Sequence, residues 1–230
     1  MPPISTPTAY ATSRPISLDR LLADRDDLWR GRRRRPAPAR STGHAALDAQ
    51  LPTGGWPRGK LTELVPDRAG GGELDLLLPC LAECTREGRS VVFAAPPLVP
   101  CPQRLHRAGV DLARVLVVRA PDHALWAAEQ CLKSGLCGAV VAWPARNQVN
   151  ERAVRRLQLA AENGEAPLFV CYPPGCPAPP SLAALRLAVH AGGELEVLRS
   201  AQGPGAGPIR LAPDNVVPLA ARRQALEARA

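Results

Sequence analysis

Residues 61–88 read LTELVPDRAGGGELDLLLPCLAECTREG and contain, in order, an apolar run, a glycine cluster and a leucine-rich stretch. Leu61–Val65 is short and apolar, which favours a buried strand. The stretch from Glu73 to Glu87 has leucines at helical spacing and ends at Gly88, which is typical of a helix. Pro79 lies inside that stretch, so we expect the helix to kink there. The order of strand, glycine turn and helix predicts the first unit of an α/β domain.

The same alternation continues along the chain. Each further strand-like run is separated from the next by a helix-like stretch. The predicted strands are Ser90–Ala95, Arg114–Val118, Cys137–Trp143 and Leu168–Tyr172, and the predicted helices are Pro102–Ala108, His123–Ser134 and 150–163. Since parallel strands need long crossovers, this order predicts a doubly wound, mostly parallel sheet. Three later runs, joined by glycine-rich turns, predict antiparallel strands at the C-terminal edge: Leu185–Val189, Glu194–Arg199 and Pro208–Leu211.

The chain divides into three predicted segments. Residues 1–43 form an N-terminal helix and a basic linker, residues 44–211 form the core domain, and residues 212–230 form a C-terminal tail. An apolar stripe on a detached helix has to be buried somewhere, and the alternatives are the chain's own core, a second copy of the chain or a partner protein. The candidate partner-binding residues are Leu21, Leu22, Leu28, Trp29, Leu219, Arg222, Arg223 and Leu226.

The net charge of +8 is concentrated near the N-terminus. Residues 1–43 hold nine arginines against four aspartates, and the densest run is Arg32, Arg33, Arg34 and Arg35. Such a run can neutralise phosphates without reading sequence, and the alternative is a solvated linker. Arg152, Arg155 and Arg156 are a second set of candidate phosphate contacts, with a solvated helix face balanced by Glu151 and Glu162 as the alternative.

The seven cysteines favour core positions over a metal site. Zinc sites pair closely spaced cysteines with histidine, whereas Cys80–Cys84 and Cys171–Cys176 have no histidine beside them. The start of the chain has no leader pattern, and no stretch approaches the ~18–20 apolar residues that span a bilayer. We therefore expect a cytoplasmic protein with reduced thiols, no bound metal or other cofactor, and no membrane association.

The glycine turn matches the position of a phosphate-binding loop but lacks its chemistry. That loop needs a glycine, then four residues later glycine, lysine and serine or threonine, because the lysine neutralises phosphate and the hydroxyl binds magnesium. The pattern falls on Val65, Gly70, Gly71 and Gly72, so valine replaces the first glycine and glycines replace the lysine and the hydroxyl. A degenerate loop of this kind predicts that the chain is not an enzyme.

Three segments resemble RecA-type recombinases. Residues 47–64, LDAQLPTGGWPRGKLTEL, resemble the approach to the RecA phosphate loop, residues 93–111 resemble its second strand and helix, and Cys137–Trp143 resembles its Walker B strand. The resemblance implies a RecA-like fold. It also places RecA's catalytic acids on positions that hold no acid here: Ala95, Pro97, Ala142 and Trp143.

Shorter phrases resemble the ImuA family of RecA-like accessory proteins in bacterial translesion synthesis. They are LWRG (28–31), GGWPRG (54–59), LTEL (61–64), ALWAAEQ (124–130) and RRLQLAAE (155–162). This resemblance implies a DNA-damage-induced adaptor whose partners are an ImuB-type homologue of Y-family polymerases and a DnaE-type polymerase. RecA itself is a further candidate partner.

Two other functions stay open at the level of sequence. One is a SulA-like inhibitor of cell division, and the other is a divergent DNA-dependent ATPase or recombinase. The loops that correspond to RecA's DNA-binding loops are 145–150, with the single cation Arg146, and 173–181, with no cation or aromatic ring. Single-strand binding normally needs both, so we expect weak or no DNA binding. The oligomeric state is left open.

Overall fold

The structure, a computed structural model, describes residues 39–68, 70–176, 183–200, 203 and 207–211. Its strands are β1 (Ala39–Arg40), β2 (Trp56–Pro57), β3 (Leu61–Pro66), β4 (Ser90–Ala94), β5 (Val115–Val118), β6 (Cys137–Ala142), β7 (Leu168–Cys171), β8 (Leu185–His190), β9 (Glu194–Arg199) and β10 (Ile209–Arg210). Its α-helices are α1 (Ala45–Asp48), α2 (Glu73–Arg86), α3 (Pro102–Arg107), α4 (Ala124–Lys133) and α5 (Glu151–Gly164). Short 3₁₀ turns precede β5, α4 and α5.

The main sheet confirms the predicted fold class. Its strand order is β5-β4-β6-β7-β3-β8-β9-β10. All pairings from β5 across to β8 are parallel, whereas β8–β9 and β9–β10 are antiparallel. The protein is therefore α/β with a mostly parallel sheet and antiparallel strands at its C-terminal edge.

Helices cover both faces of the sheet, because alternate residues of each central strand point to opposite sides. Val91 and Phe93 of β4 join the apolar cluster that contains the leucines of α2. Val92 and Ala94 join the second cluster, which contains the buried faces of α4 and α5. All six residues of β6 are buried, as expected for a central parallel strand covered on both faces.

A buried polar group ties three strands together near the centre of the sheet. Glu63 of β3 is fully buried and accepts hydrogen bonds from Tyr172 Oη and Arg186 Nε, both at 2.7 Å. Burial and the neighbouring Glu63 carboxylate raise the pKa of Tyr172, so the phenol stays protonated and continues to donate. The network fixes β3, β7 and β8 relative to one another.

The predicted linker is shorter at its C-terminal end. Residues 39–43 belong to the fold, since β1 pairs with β2 in a separate two-stranded sheet. Arg40 forms ion pairs with Glu83 (3.2 Å) and Glu87 (2.6 Å) at the end of α2. The buried Thr42 donates its backbone N–H to Asp48. A two-residue strand has too little periodicity to be recognised in sequence.

The described helices include none that is both long and apolar enough to cross a bilayer.

Candidate functional site

A cleft of about 480 Å³ lies at the carboxyl ends of β3, β4 and β6. This is the edge of an open α/β sheet at which ligands usually bind, because the strand-to-helix connections meet there. Its lining residues come from the glycine turn and start of α2, the loop after β4, and the end of β6: Gly70, Gly72, Glu73, Leu74, Asp75, Pro96, Pro97, Leu98, Val99, Pro100 and Trp143.

The glycine turn forms one side of the cleft. Gly70 and Gly72 adopt φ angles of +67° and +102°, which favour glycine. A Cβ on Gly71 would lie 3.0 Å from the carbonyl oxygen of Arg68, so the turn is tight as well as left-handed. Val65 lies half-buried in β3 ahead of the turn, and Ala69 lies outside the described residues. The turn is thus tight and left-handed, and glycines stand at the positions of the phosphate-binding lysine and hydroxyl.

Two carboxylates lie in the first turn of α2, directly after this glycine turn. The side chain of Asp75 accepts a hydrogen bond from Arg104 Nε at 2.6 Å. Glu73 is only 7% exposed, and its Oε2 is buried without a hydrogen-bond partner among the described residues. The amino end of a helix carries partial positive charge and attracts anions. Here the protein's own carboxylates lie at that end, and they repel a phosphate.

The positions aligned with RecA's acids come together at the same edge of the sheet. Ala95 follows β4 with a φ of +53°, and Pro97 lines the cleft next to it. Ala142 is fully buried at the end of β6. Trp143 lines the cleft and packs against Phe93, with ring centroids 5.9 Å apart. Its Nε1 is buried and has no hydrogen-bond partner in the described part of the chain.

The outer rim of the cleft is apolar. Leu98 and Val99 are 82% and 63% exposed, and three prolines flank them in the sequence PPLVP (96–100). Large apolar side chains grouped at an otherwise polar surface mark binding sites for proteins or other apolar ligands. The cleft therefore combines an apolar rim with a buried carboxylate and a buried N–H donor.

Chemistry beside the cleft is limited. Cys171, at the end of β7, has its pKa raised well above the ordinary value by burial and then by the nearby Glu73, so its thiol stays protonated. A protonated, buried thiol is a poor nucleophile and a poor metal ligand. Among the described residues, no three or more His, Cys, Asp or Glu side chains are grouped so that they could hold a metal ion.

The loops aligned with RecA's DNA-binding loops contact each other. Arg146, the single cation of the first loop, donates hydrogen bonds to the carbonyl oxygens of Pro174 and Gly175 in the second. Its guanidinium is thus already engaged by main-chain acceptors. Residues 177–181 of the second loop lie outside the described residues.

The three arginines of α5 differ in their surroundings. Arg156 pairs with Glu129 of α4, which also accepts from Lys133 Nζ at 2.7 Å. Burial of Glu129 acts to raise its pKa, but hydrogen bonds from the two cations outweigh burial and lower it. Arg152 and Arg155 are exposed, and no ion pair among the described residues involves them. Glu162, expected to balance this face, pairs instead with Lys60.

A smaller cavity of about 230 Å³ lies beside Arg156 between α4 and α5. Trp126 lines it and is 59% exposed. The sequence prediction did not include Trp126 among the site residues. Nor did it include Glu73, Leu98 or Val99, because a Glu in a first helical turn and a Leu-Val pair between prolines have no distinctive spacing.

Several predicted site residues lie outside the described part of the chain. They are Leu21, Leu22, Leu28, Trp29, Arg32, Arg33, Arg34, Arg35, Leu219, Arg222, Arg223 and Leu226. Their predicted roles stay predictions.

Comparison with known proteins finds sequence similarity to RecA. The chain is 32% identical to RecA of Acinetobacter baylyi over 104 residues, which is 44% of this chain and 29% of that protein. RecA of Thioalkalivibrio sulfidiphilus is 33% identical over 110 residues, and the match covers 46% of this chain and 32% of the relative. The chain thus spans about a third of the length of these curated relatives. The similarity supports a place in the RecA-like superfamily and does not single out a narrower family.

A solved structure of SulA from Pseudomonas aeruginosa is 28% identical, with a TM-score of 0.40, over 48% of this chain and 96% of that chain. No model of a known protein family matches the chain.

Proposed function

We propose that this protein is a non-catalytic, RecA-like adaptor in DNA-damage-induced translesion synthesis. In this role it binds an ImuB-type homologue of Y-family polymerases and a DnaE-type polymerase, with RecA as a further candidate partner. The resemblance of five short phrases to the ImuA family supports these partners, and the similarity to RecA supports the broader class.

The observation that carries the non-catalytic part is the position of Glu73. A magnesium–triphosphate site needs cations and metal ligands around the phosphates, since charge neutralisation supplies most of the catalysis. The start of α2 instead places a buried carboxylate beside the glycine turn, where it opposes phosphate binding. Pro97 and Trp143 occupy the aligned positions of the acids that would activate water and assist magnesium.

The adaptor part is supported by exposed apolar side chains. Leu98 and Val99 at the cleft, and Trp126 between α4 and α5, are large, apolar and accessible. Aromatic and apolar anchors of this kind dominate the energetics of protein–protein interfaces. The engaged Arg146 supports a role that does not depend on RecA-like loop contacts with DNA.

Co-purification of the full-length protein with each candidate partner tests the proposal. We expect a stable complex with the ImuB-type or the DnaE-type protein, resistant to nuclease treatment because protein surfaces make the contact. The tubulin-like division protein serves as the competing bait. Binding to that bait alone would favour the SulA-like alternative, and binding to none of the baits would refute the adaptor role.

A further inference from the structure

The cleft at the carboxyl ends of β3, β4 and β6 contains two buried polar atoms of opposite kind. Glu73 Oε2 is an acceptor and Trp143 Nε1 is a donor, and neither has a hydrogen-bond partner among the described residues. A buried polar group without a partner costs free energy, and the cost is larger for a charged one. Both residues line the same cleft, so the partners that their buried atoms lack can come from a ligand bound in it.

The charge of the cleft selects the ligand. Asp75, the other ionised side chain among the lining residues, is paired with Arg104 outside the helix turn. Among the described residues, Glu73 is therefore the lining carboxylate without a cation partner, and the other lining residues include glycine, proline, leucine, valine and tryptophan. A ligand that fits carries a single positive charge next to apolar groups.

The donor and the rim extend this to a peptide. The indole N–H of Trp143 is a donor only, so the ligand must supply an acceptor. Every peptide carries such acceptors in its main-chain carbonyls. Leu98 and Val99 offer exposed apolar contact at the mouth, and the neighbouring prolines hold them on a backbone with few N–H donors. A lysine or arginine side chain can lay its apolar stem along such a rim while its charged end reaches the carboxylate.

We propose that this cleft binds a segment of a partner protein that inserts one lysine or arginine side chain against Glu73. A main-chain carbonyl of that segment accepts from Trp143, and an apolar side chain beside the cation packs on Leu98 and Val99. The inference rests on the proposed adaptor function and names the contact through which it acts. In this protein the cleft that resembles a nucleotide site holds a cationic side chain.

Short overlapping peptides that cover the ImuB-type and DnaE-type partners and RecA provide the probe. They are bound to full-length wild type and to three variants, Glu73→Gln, Leu98→Asp and the control Glu151→Gln. We expect the wild type to retain peptides that contain lysine or arginine next to an apolar residue. Both Glu73→Gln and Leu98→Asp lower that affinity about tenfold or more. Glu73→Gln removes the buried carboxylate that pairs with the cation, and Leu98→Asp places a charge on the apolar rim. Glu151→Gln, which changes an exposed carboxylate in the first turn of α5 outside the cleft, leaves the affinity unchanged.

A stability measurement separates this role from a structural one. Because Glu73 is buried without a partner, Glu73→Gln leaves the unfolding midpoint of the isolated protein unchanged or raises it. A carboxylate that merely held the fold together would give a lower midpoint. Leu98 is largely exposed, so Leu98→Asp keeps the inference testable whatever Glu73→Gln does to folding.

The outcomes distinguish the cleft from the broader function. Absence of any retained peptide, equal retention by Glu73→Gln, or binding of magnesium–ATP in the cleft overturns the inference. If both Glu73→Gln and Leu98→Asp still form complexes with the folded partners as the wild type does, the adaptor function stands. The cleft is then not the contact through which it acts. Failure of the wild type to co-purify with any partner refutes the adaptor function itself.

Discussion

At the scale of single residues, two buried glutamates in neighbouring positions of the fold have opposite surroundings. Glu63 has a partner for each carboxylate oxygen, Tyr172 and Arg186. Glu73, ten residues later, has a buried oxygen with none among the described residues. A fully paired buried charge stabilises the architecture, whereas a buried carboxylate oxygen without a partner costs free energy. Substitution of the two should therefore have opposite consequences for stability.

Glu63→Gln is expected to destabilise the protein by about 3–5 kcal/mol, because it removes the buried charge that Tyr172 and the partly buried Arg186 contact. Tyr172→Phe removes one hydrogen bond to a charged group and costs about 1.5–3 kcal/mol. Urea unfolding measures both. Glu151→Gln, at an exposed position in the first turn of α5, is the matched control and changes stability by less than about 1 kcal/mol. Equal effects at positions 63 and 151 would show that the network contributes little.

Sequence alone identified some of these residues and missed others. Gly71 and Gly72, at the positions of the missing lysine and hydroxyl, follow from motif spacing, whereas Pro97 and Trp143 follow from the resemblance to RecA. Glu73 was not predicted, because a glutamate at the start of a helix is ordinary and its burial depends on tertiary packing. Exposure of Leu98 and Trp126 also depends on packing that no local pattern encodes.

At the scale of secondary-structure elements, most strands and helices were predicted to within one or two residues. They are recognised as apolar runs separated by glycines. Cys137–Ala142 is an example, since every residue of this strand is buried. The predicted strand 90–95 ends one residue early because Ala95 turns to positive φ. The β1–β2 pair was missed, since its two-residue strands are held by tertiary contacts of Arg40 and Trp56 and not by periodicity.

The packing of α4 against α5 depends on Glu129 and predicts a pH effect. The pKa of Glu129 is lowered in the folded protein, because Lys133 and Arg156 outweigh the effect of burial. Its contribution to stability is thus present above the unfolded pKa of about 4.3 and is lost as the pH falls through the lower folded pKa. Urea unfolding of wild type and Glu129→Gln at about pH 7, 5, 4 and 3 should give a difference that is largest at neutral pH and shrinks in acid. A difference independent of pH would exclude this ion pair as its source.

The close approach of α2 to β6 gives a second prediction at this scale. A Cβ on Gly138 would lie 2.8 Å from Arg89 Cβ and 2.9 Å from Cys84 Cβ, both too close for ordinary contact. Gly138→Ala should therefore destabilise the protein by about 1–3 kcal/mol through overpacking. Thermal unfolding measures the change. An unaltered midpoint would mean that the helix and the strand can separate without cost.

At the scale of the whole molecule, the fold and its charge are separate sources of function. The sheet and its two helical layers form the α/β fold, and most of the excess of basic over acidic residues lies in residues 1–43. We expect weak, salt-sensitive binding of a thymidine oligonucleotide, with a Kd on the order of 10⁻⁴–10⁻⁶ M, typical of non-specific contacts. Most of this binding should be lost when serine replaces the four arginines Arg32, Arg33, Arg34 and Arg35. Replacement of Arg152 and Arg155 by serine should have a smaller effect on binding. Fluorescence anisotropy that shows tight, salt-resistant binding unaffected by either set would contradict this division.

We propose that this protein has a RecA-like fold but does not hydrolyse ATP. The most direct test of that proposal is a measurement of ATP turnover by the full-length protein. It is measured with magnesium, in the presence and absence of single-stranded DNA. The carboxylate of Glu73 beside the glycine turn, and the residues at positions 71, 72, 97 and 143, lead us to expect no hydrolysis above background under either condition. Turnover that rises above background, and rises further when single-stranded DNA is added, would contradict the proposed function.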